Sequence, residues 1–336
     1  MSAPAQPGAF APDDPGAARR GILFVLIAMA AISVNDMVIK FLSGDYPLHQ
    51  MVFLRSLISL PFTFTFLYFE GGLTLLRTKT PGLHALRALL IVFANMSYFA
   101  ALVVLPLAEA TAIFYIAPLF VTVLSVPILG EIVGVRRLAA VFVGLVGVVV
   151  MLPLGQGDRG GLDAPLWALA LPVAAAAAYA GMHVLTRKLG ISTRASAMAI
   201  YIQSAFLGVS ALFFLVAGDG RFAEGVTNPS LQFLLRPWIW PTAQDWPLFI
   251  LIGCMGGAIG FCLSQAYRLG PPATIASYEY IALPLAIFWG WVVFGDVPGV
   301  QTGLGILLIV GAGIYVFFRE AKRDAPVAAR QPQRRL

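Results

Sequence analysis

Charge is what this 336-residue chain has least of: only 11% of its residues are charged, against roughly a quarter in an ordinary soluble domain. A water-facing surface cannot be built from so few. Histidine occurs three times, at widely separated positions, and cysteine twice, so no metal site with zinc-ligand spacing exists. Cys254 and Cys262 lie on one predicted helix, roughly 12 Å apart along its axis, too far for a mutual disulfide. They read as small core residues. No GxxxxGK[ST] phosphate loop is present, which argues against an ATP-driven pump within this chain. Glycine patterns such as Gly256-x-x-x-Gly260 signal helix contact rather than nucleotide binding. Basic residues outnumber acidic ones, 22 to 16, but they gather at predicted helix ends, where topology accounts for them without nucleic acid.

What is there is apolar length. Hydrophobic residues make up 59% of the chain, in runs of about 20 residues that suffice to cross a hydrocarbon core at 1.5 Å rise per residue. The expected fold is an all-α integral membrane protein of ten transmembrane helices, at 21–42, 48–69, 82–105, 108–129, 137–152, 164–187, 196–216, 246–268, 272–294 and 300–318. Residues 1–20 and 319–336 are expected to be polar tails, the first disordered, and 153–163 a linker. The fifth span is short, and Gly144 and Gly147 in it predict close packing on a neighbour. Of the 22 basic residues, 16 fall in segments that are cytoplasmic if both termini are, three fall in external segments and three within spans. This bias predicts a multi-pass protein of the cell inner membrane with both termini in the cytoplasm. The outer segment 217–245, with Trp238, Trp240 and neighbouring Trp246, reads as interfacial, with a lid as the alternative.

The two halves repeat. LPLAEATAIFYIAP and PPATIASYEYIALP align with Pro106, Ala110 and Pro118 matching Pro272, Ala276 and Pro284 at an offset of 166. Gly130-Glu131 and Gly134-Val135 match Gly295-Asp296 and Gly299-Val300 at an offset of 165. Five spans per half is an odd number, so the second copy enters the membrane upside down. The expected architecture is two inverted five-helix repeats, 21–152 and 164–318.

The paired helix ends PILGE and VVFGD, each followed by a Gly-rich span, resemble the drug/metabolite transporter superfamily and within it the EamA-type transporters, over about residues 21–318. Lys40 and Arg55 also fall where such transporters often carry a Lys closing the first span and an Arg early in the second. The resemblance implies a carrier of small metabolites: known members export amino acids and other metabolites, or import compounds such as S-adenosylmethionine or riboflavin. A fold-level likeness names no substrate.

Charges inside spans are expensive and so become candidates for function. Asp36 and Arg55 lie at similar depth from one membrane face and are expected to form an ion pair, with Lys40, one turn from Asp36, completing a gating cluster. His183 lies on a stripe with Tyr179 and Arg187 and is a candidate gating group or proton relay. Arg87 and His84, near the cytoplasmic start of the third span, read as snorkelling headgroup anchors. Pro118 and Pro284 fall near the midplane of spans four and nine and are expected to break them, freeing the carbonyls of Phe114 and Tyr280. Glu279 stands beside that second break. The expected substrate-binding set is Glu279, Tyr280, Phe114, Tyr98, Tyr115, Tyr278, Trp289 and Gln265, with a bland role in packing as the alternative for each.

The expected activity is secondary transport by alternating access, of an amino-acid-like or amphipathic amine metabolite, with export as the favoured direction and import of a compound such as S-adenosylmethionine or riboflavin as the alternative. An intramembrane enzyme would need a nucleophile and base clustered at one depth, and a structural or channel protein would need no central charge or a continuous polar pore. Expected partners are the solute, membrane lipid, a proton as coupling ion and a second copy of the chain in a homodimer; no cofactor and no metal is expected.

Overall fold

The computed structural model describes residues 15–130, 135–151, 165–189, 195–269 and 278–324. Every regular element among them is helical. In chain order these are α1 (Pro15–Leu42), α2 (Leu48–Glu70), a 3-10 turn at Leu73–Leu76, α3 (Pro81–Leu102), α4 (Leu107–Phe114), α5 (Ala117–Leu129), α6 (Val135–Met151), α7 (Leu166–Leu189), α8 (Ala195–Ala217), α9 (Pro229–Leu235), α10 (Trp246–Leu269), α11 (Ala282–Phe294) and α12 (Val300–Asp324). Among the described residues seven stretches are long and apolar enough to cross a membrane, one of them being α4 and α5 taken together. The apolar parts of α6, α11 and α12 are shorter. The chain is a multi-pass membrane protein.

Two boundaries differ from the sequence expectation. Helix α1 is already helical at Pro15, ahead of the expected start of the first span at residue 21, so that residues 15–20 of the expected tail belong to the helix. Helix α12 runs on to Asp324, past the expected end at 318. The expected linker 153–163, and Glu131, Gly134, Pro272 and Ala276 of the repeat, lie outside the described residues.

Packing follows a regular scheme. Helix α1 lies along α10 and α3 along α7; α2 pairs with α8, α6 with α12 and α4 with α11. If spans one to five are laid on spans six to ten, the first two pairs exchange and the other three map onto themselves. Small residues permit the closest contact. A Cβ on Gly147 of α6 would stand 2.9 Å from the Gly305 carbonyl, and one on Gly305 of α12 would stand 2.6 Å from the Gly147 carbonyl, so the two backbones touch. The expected close packing of Gly147 is thus present. Similarly Gly256 of α10 leaves room for Ser59 of α2, whose hydroxyl donates to the Gly253 carbonyl at 2.7 Å. Leucines such as Leu212, Leu215, Leu304 and Leu307 point outward and are exposed, as a lipid-facing surface requires.

Candidate functional site

Two helix breaks match residue for residue. Helix α4 stops at Phe114, Tyr115 and Ile116 form a turn, and α5 starts at Ala117; the same turn recurs at Tyr280 and Ile281 before α11 starts at Ala282. Both second segments end on a glycine in the left-handed region, Gly130 at φ 72° and Gly295 at φ 73°, which closes the last turn at no steric cost.

The breaks come earlier than the prolines implied. Pro118 and Pro284 sit in the first turn of α5 and α11, where a missing N–H leaves no bond unmade. The Tyr280 carbonyl is therefore not free, since it accepts from the Leu283 N–H at 3.1 Å. It is the Glu279 carbonyl that draws a side-chain partner: the Tyr115 hydroxyl donates to it at 2.8 Å. The two break tyrosines also touch, with ring centroids 5.1 Å apart. Gly313 of α12 leaves the space that the Tyr280 hydroxyl fills.

An aromatic column extends from this junction. The Phe114 ring lies 5.2 Å from Tyr98 and 5.2 Å from Tyr179, and Tyr179 meets His183 edge-on at 4.4 Å. At one end Tyr98 donates to Asp36 Oδ2 at 3.3 Å, while Asn35 Nδ2 donates to Oδ1 at 3.0 Å. The Tyr98 hydroxyl also lies 2.9 Å from Thr111 Oγ1. Glu279 is near enough to Tyr115, Tyr179 and Tyr280 for its charge to act on all three. Asp36, Phe114, Tyr115, Tyr179, His183 and Glu279 are only half-buried.

The expected ion pair is not formed. Asp36 is held by Asn35 and Tyr98, whereas Arg55 Nη2 donates to Asn95 Oδ1 at 3.2 Å and its guanidinium lies 5.2 Å from the Phe206 ring centre. The two charges attract through space without contact. Lys40 does not join them either. It donates to the carbonyls of Leu102 and Leu105, at 2.8 and 2.6 Å, and lies 5.2 Å from the Phe294 ring centre. A lysine there satisfies acceptors that the end of α3 leaves open and complements its dipole.

Of the remaining candidates, Trp289 donates to Ser33 Oγ at 3.3 Å and so ties α11 to α1. Gln265 is half-buried on α10, and Tyr278 is 38% exposed. Residues the sequence reading passed over are Ser33 and Thr111. Ser33 could have been found, because Ser33, Asp36 and Lys40 at i, i+3 and i+7 share one face of α1.

The end of the bundle that carries the α1–α2 turn is covered by the segment between α8 and α10. Tyr46 donates to Asp245 Oδ2 at 2.7 Å and accepts from the Thr242 N–H at 3.0 Å, and Thr242 Oγ1 donates to the same carboxylate oxygen at 2.6 Å. Gln50 binds the backbone of Ile239 through both ends of its amide, and Arg236 reaches the carbonyls of Ser43 and Gly44. The bonds from Thr242 and then Tyr46 lower the Asp245 carboxyl below its ordinary 3.8. Burial, and then the bond to Asp245, raises the Tyr46 hydroxyl above its ordinary 10. A lowered carboxyl contributes stability above its unfolded value and loses it only as pH falls through the folded one. Protection of the Thr242 N–H from hydrogen exchange, corrected for intrinsic rate, should therefore stay constant from pH 5.5 to 8 and fall several-fold in Asp245→Asn. A steep change across that window in the native protein would show that another group governs the clasp.

Residues 19–152, the stretch from α1 through α6, match the EamA-like transporter family. That stretch is similar to the EamA-type branch of the drug/metabolite transporter superfamily. Similar proteins span nearly the whole length of the chain. An S-adenosylmethionine uptake transporter of Rickettsia prowazekii is 26% identical over 90% of this chain and 94% of its own. A riboflavin transporter of Rhizobium johnstonii is 26% identical over 93% and 95%, and a pseudopaline exporter of Pseudomonas aeruginosa is 24% identical over 88% and 95%. A protein of known crystal structure shares the fold at a TM-score of 0.60, covering 92% of this chain and 99% of that one at 22% identity. Together the family match and these relatives point to a transporter rather than an enzyme.

Proposed function

We propose that this protein is a secondary transporter of ten spans in two inverted five-helix halves, with both termini in the cytoplasm, and that it carries a cationic metabolite across the inner membrane. The observation that carries the reading is the matched pair of breaks, which brings Tyr115, Tyr280 and Glu279 together where the two halves meet. The helix pairing, in which pairs exchange or map onto themselves, supports the inverted repeat. Negative charge at Asp36 and Glu279, with aromatic faces between them, favours a cation that can also stack on rings. S-adenosylmethionine, a sulfonium with a purine ring, has both features, and the Rickettsia relative supports uptake. Export is the second reading, supported by the Pseudomonas relative.

Exchange in proteoliposomes tests the class. Labelled S-adenosylmethionine, a polyamine, a neutral amino acid and riboflavin should be offered in turn, against protein-free vesicles. Saturable exchange of a cationic solute, competed by other ring-bearing cations, is expected. Exchange confined to riboflavin or to the neutral amino acid would overturn the cation site.

A further inference from the structure

One buried charge takes no part in the path described so far. Arg87, on α3, is 5% exposed. Its side chain does not snorkel toward headgroups but turns to α7, where Nε donates to Thr186 Oγ1 at 2.7 Å; Thr186 in turn donates to the Met182 carbonyl at 2.8 Å. The terminal Nη1 is buried with no partner. Among the described residues no carboxylate lies within ion-pair distance of Arg87. A guanidinium left like this in low dielectric is costly, and it presents a planar fork suited to an oxyanion.

The surroundings complete a site. His183 lies three residues before Thr186 on α7 and feels the charge of Arg87. It is half-buried, and its ring contact is with Tyr179, at the end of the aromatic column. His84, one turn before Arg87 on α3, faces Tyr201 of α8 and adds no negative charge. Among the described residues, the groups these contacts place around Arg87 are thus two imidazoles and a hydroxyl, none of them anionic, at the end of the column opposite to Asp36.

We infer that Arg87, with Thr186 and His183 beside it, binds an oxyanion, a carboxylate or a phosphate, borne by the transported solute. This rests on the proposed path and specifies its solute further. Arg87 and Tyr98 are eleven residues apart on α3, roughly 16 Å along the axis. A solute that touches both ends at once is therefore elongated, cationic at one end and anionic at the other. The two charges of a short amino acid are too close together to do so.

The test uses the full-length protein purified in dodecyl maltoside. Sodium phosphate or acetate is titrated against sodium chloride of equal ionic strength while the unfolding midpoint is followed. A ligand that binds only the folded state raises the midpoint saturably, here by about 3 °C or more. Arg87→Gln should abolish the rise and Arg87→Lys should keep part of it. Glu279→Gln should keep all of it, so the result does not depend on the cation site. Where Arg87→Gln does not fold, Thr186→Val should raise the half-saturating phosphate concentration at least about fivefold. Equal responses in the native protein and these variants would overturn the site. A rise given by phosphatidylglycerol but by neither phosphate nor acetate would also overturn it, by assigning Arg87 to a lipid headgroup.

Discussion

Replacing Glu279 by Gln should lower flux of a cationic solute at least about 30-fold while leaving expression and thermal stability near native. The substitution keeps the size and planarity of the side chain and removes only its charge. The main-chain carbonyl of Glu279 still accepts from Tyr115, so the junction of the two breaks stays tied. What is lost is the interaction of a carboxylate with a cation in a site poor in water, and removing one partner of such a pair costs about 2–5 kcal/mol. Even the low end of that range corresponds to roughly a 30-fold change. Uptake into proteoliposomes, with binding measured in parallel from pH 5.5 to 8.5, separates the roles. Weaker binding and lost flux in a stable protein assign Glu279 to the solute. A fall in stability that tracks the fall in flux would make it a structural residue, and unchanged affinity, rate and pH profile would remove it from the site altogether.

The membrane class could be read from composition, because a chain with so few charges has no way to be soluble. The two breaks were also visible, but displaced by three or four residues. Proline marks where a helix cannot accept a normal interior residue; it does not say whether the chain bends at the proline or starts a new helix just before it. Here the second happens, so Tyr115 and Tyr280, rather than Pro118 and Pro284, form the contact between the two breaks. The sequence carries a mark of both places, since Tyr115-Ile116-Ala117 recurs as Tyr280-Ile281-Ala282.

Charge partners were harder to read. Equal depth placed Asp36 and Arg55 near each other, but depth alone leaves helix rotation open, and rotation decides which side chains meet. Asn35, Tyr98 and Asn95 are polar groups at the same level, and they intercept both charges before these can touch. Lys40 illustrates the same limit. Its position one turn from Asp36 suggested a shared cluster, yet the open carbonyls at the end of α3 hold it more firmly than a carboxylate already bonded to two donors. Backbone acceptors carry no mark in a sequence. Arg87 was misread for a related reason: nearness to a helix end suggested snorkelling, and only the packing of α3 on α7 turns it inward.

Exchanging the two charges, Asp36→Arg together with Arg55→Asp, should not restore a protein damaged by either change alone. A direct ion pair would tolerate the exchange, because its energy depends only on the two charges and the distance between them. These residues attract through space, and each also has neighbours chosen for its own sign. Arginine at 36 would meet the Asn35 amide and the Tyr98 hydroxyl, groups that now donate to a carboxylate. Aspartate at 55 would lie beside the faces of Phe206 and Phe99, which stabilise the guanidinium from 5.2 and 6.0 Å and repel an anion. Neutralising either residue alone, as Asp36→Asn or Arg55→Gln, should lower stability by about 2–4 kcal/mol, because a buried charge is left uncompensated. Neutralising both should cost less than the sum of the two, since their mutual attraction is then counted once. Thermal unfolding of the four variants in detergent, with flux measured on those that fold, decides the matter. Recovery of native stability by the exchanged pair would mean that Asp36 and Arg55 meet directly in the working protein.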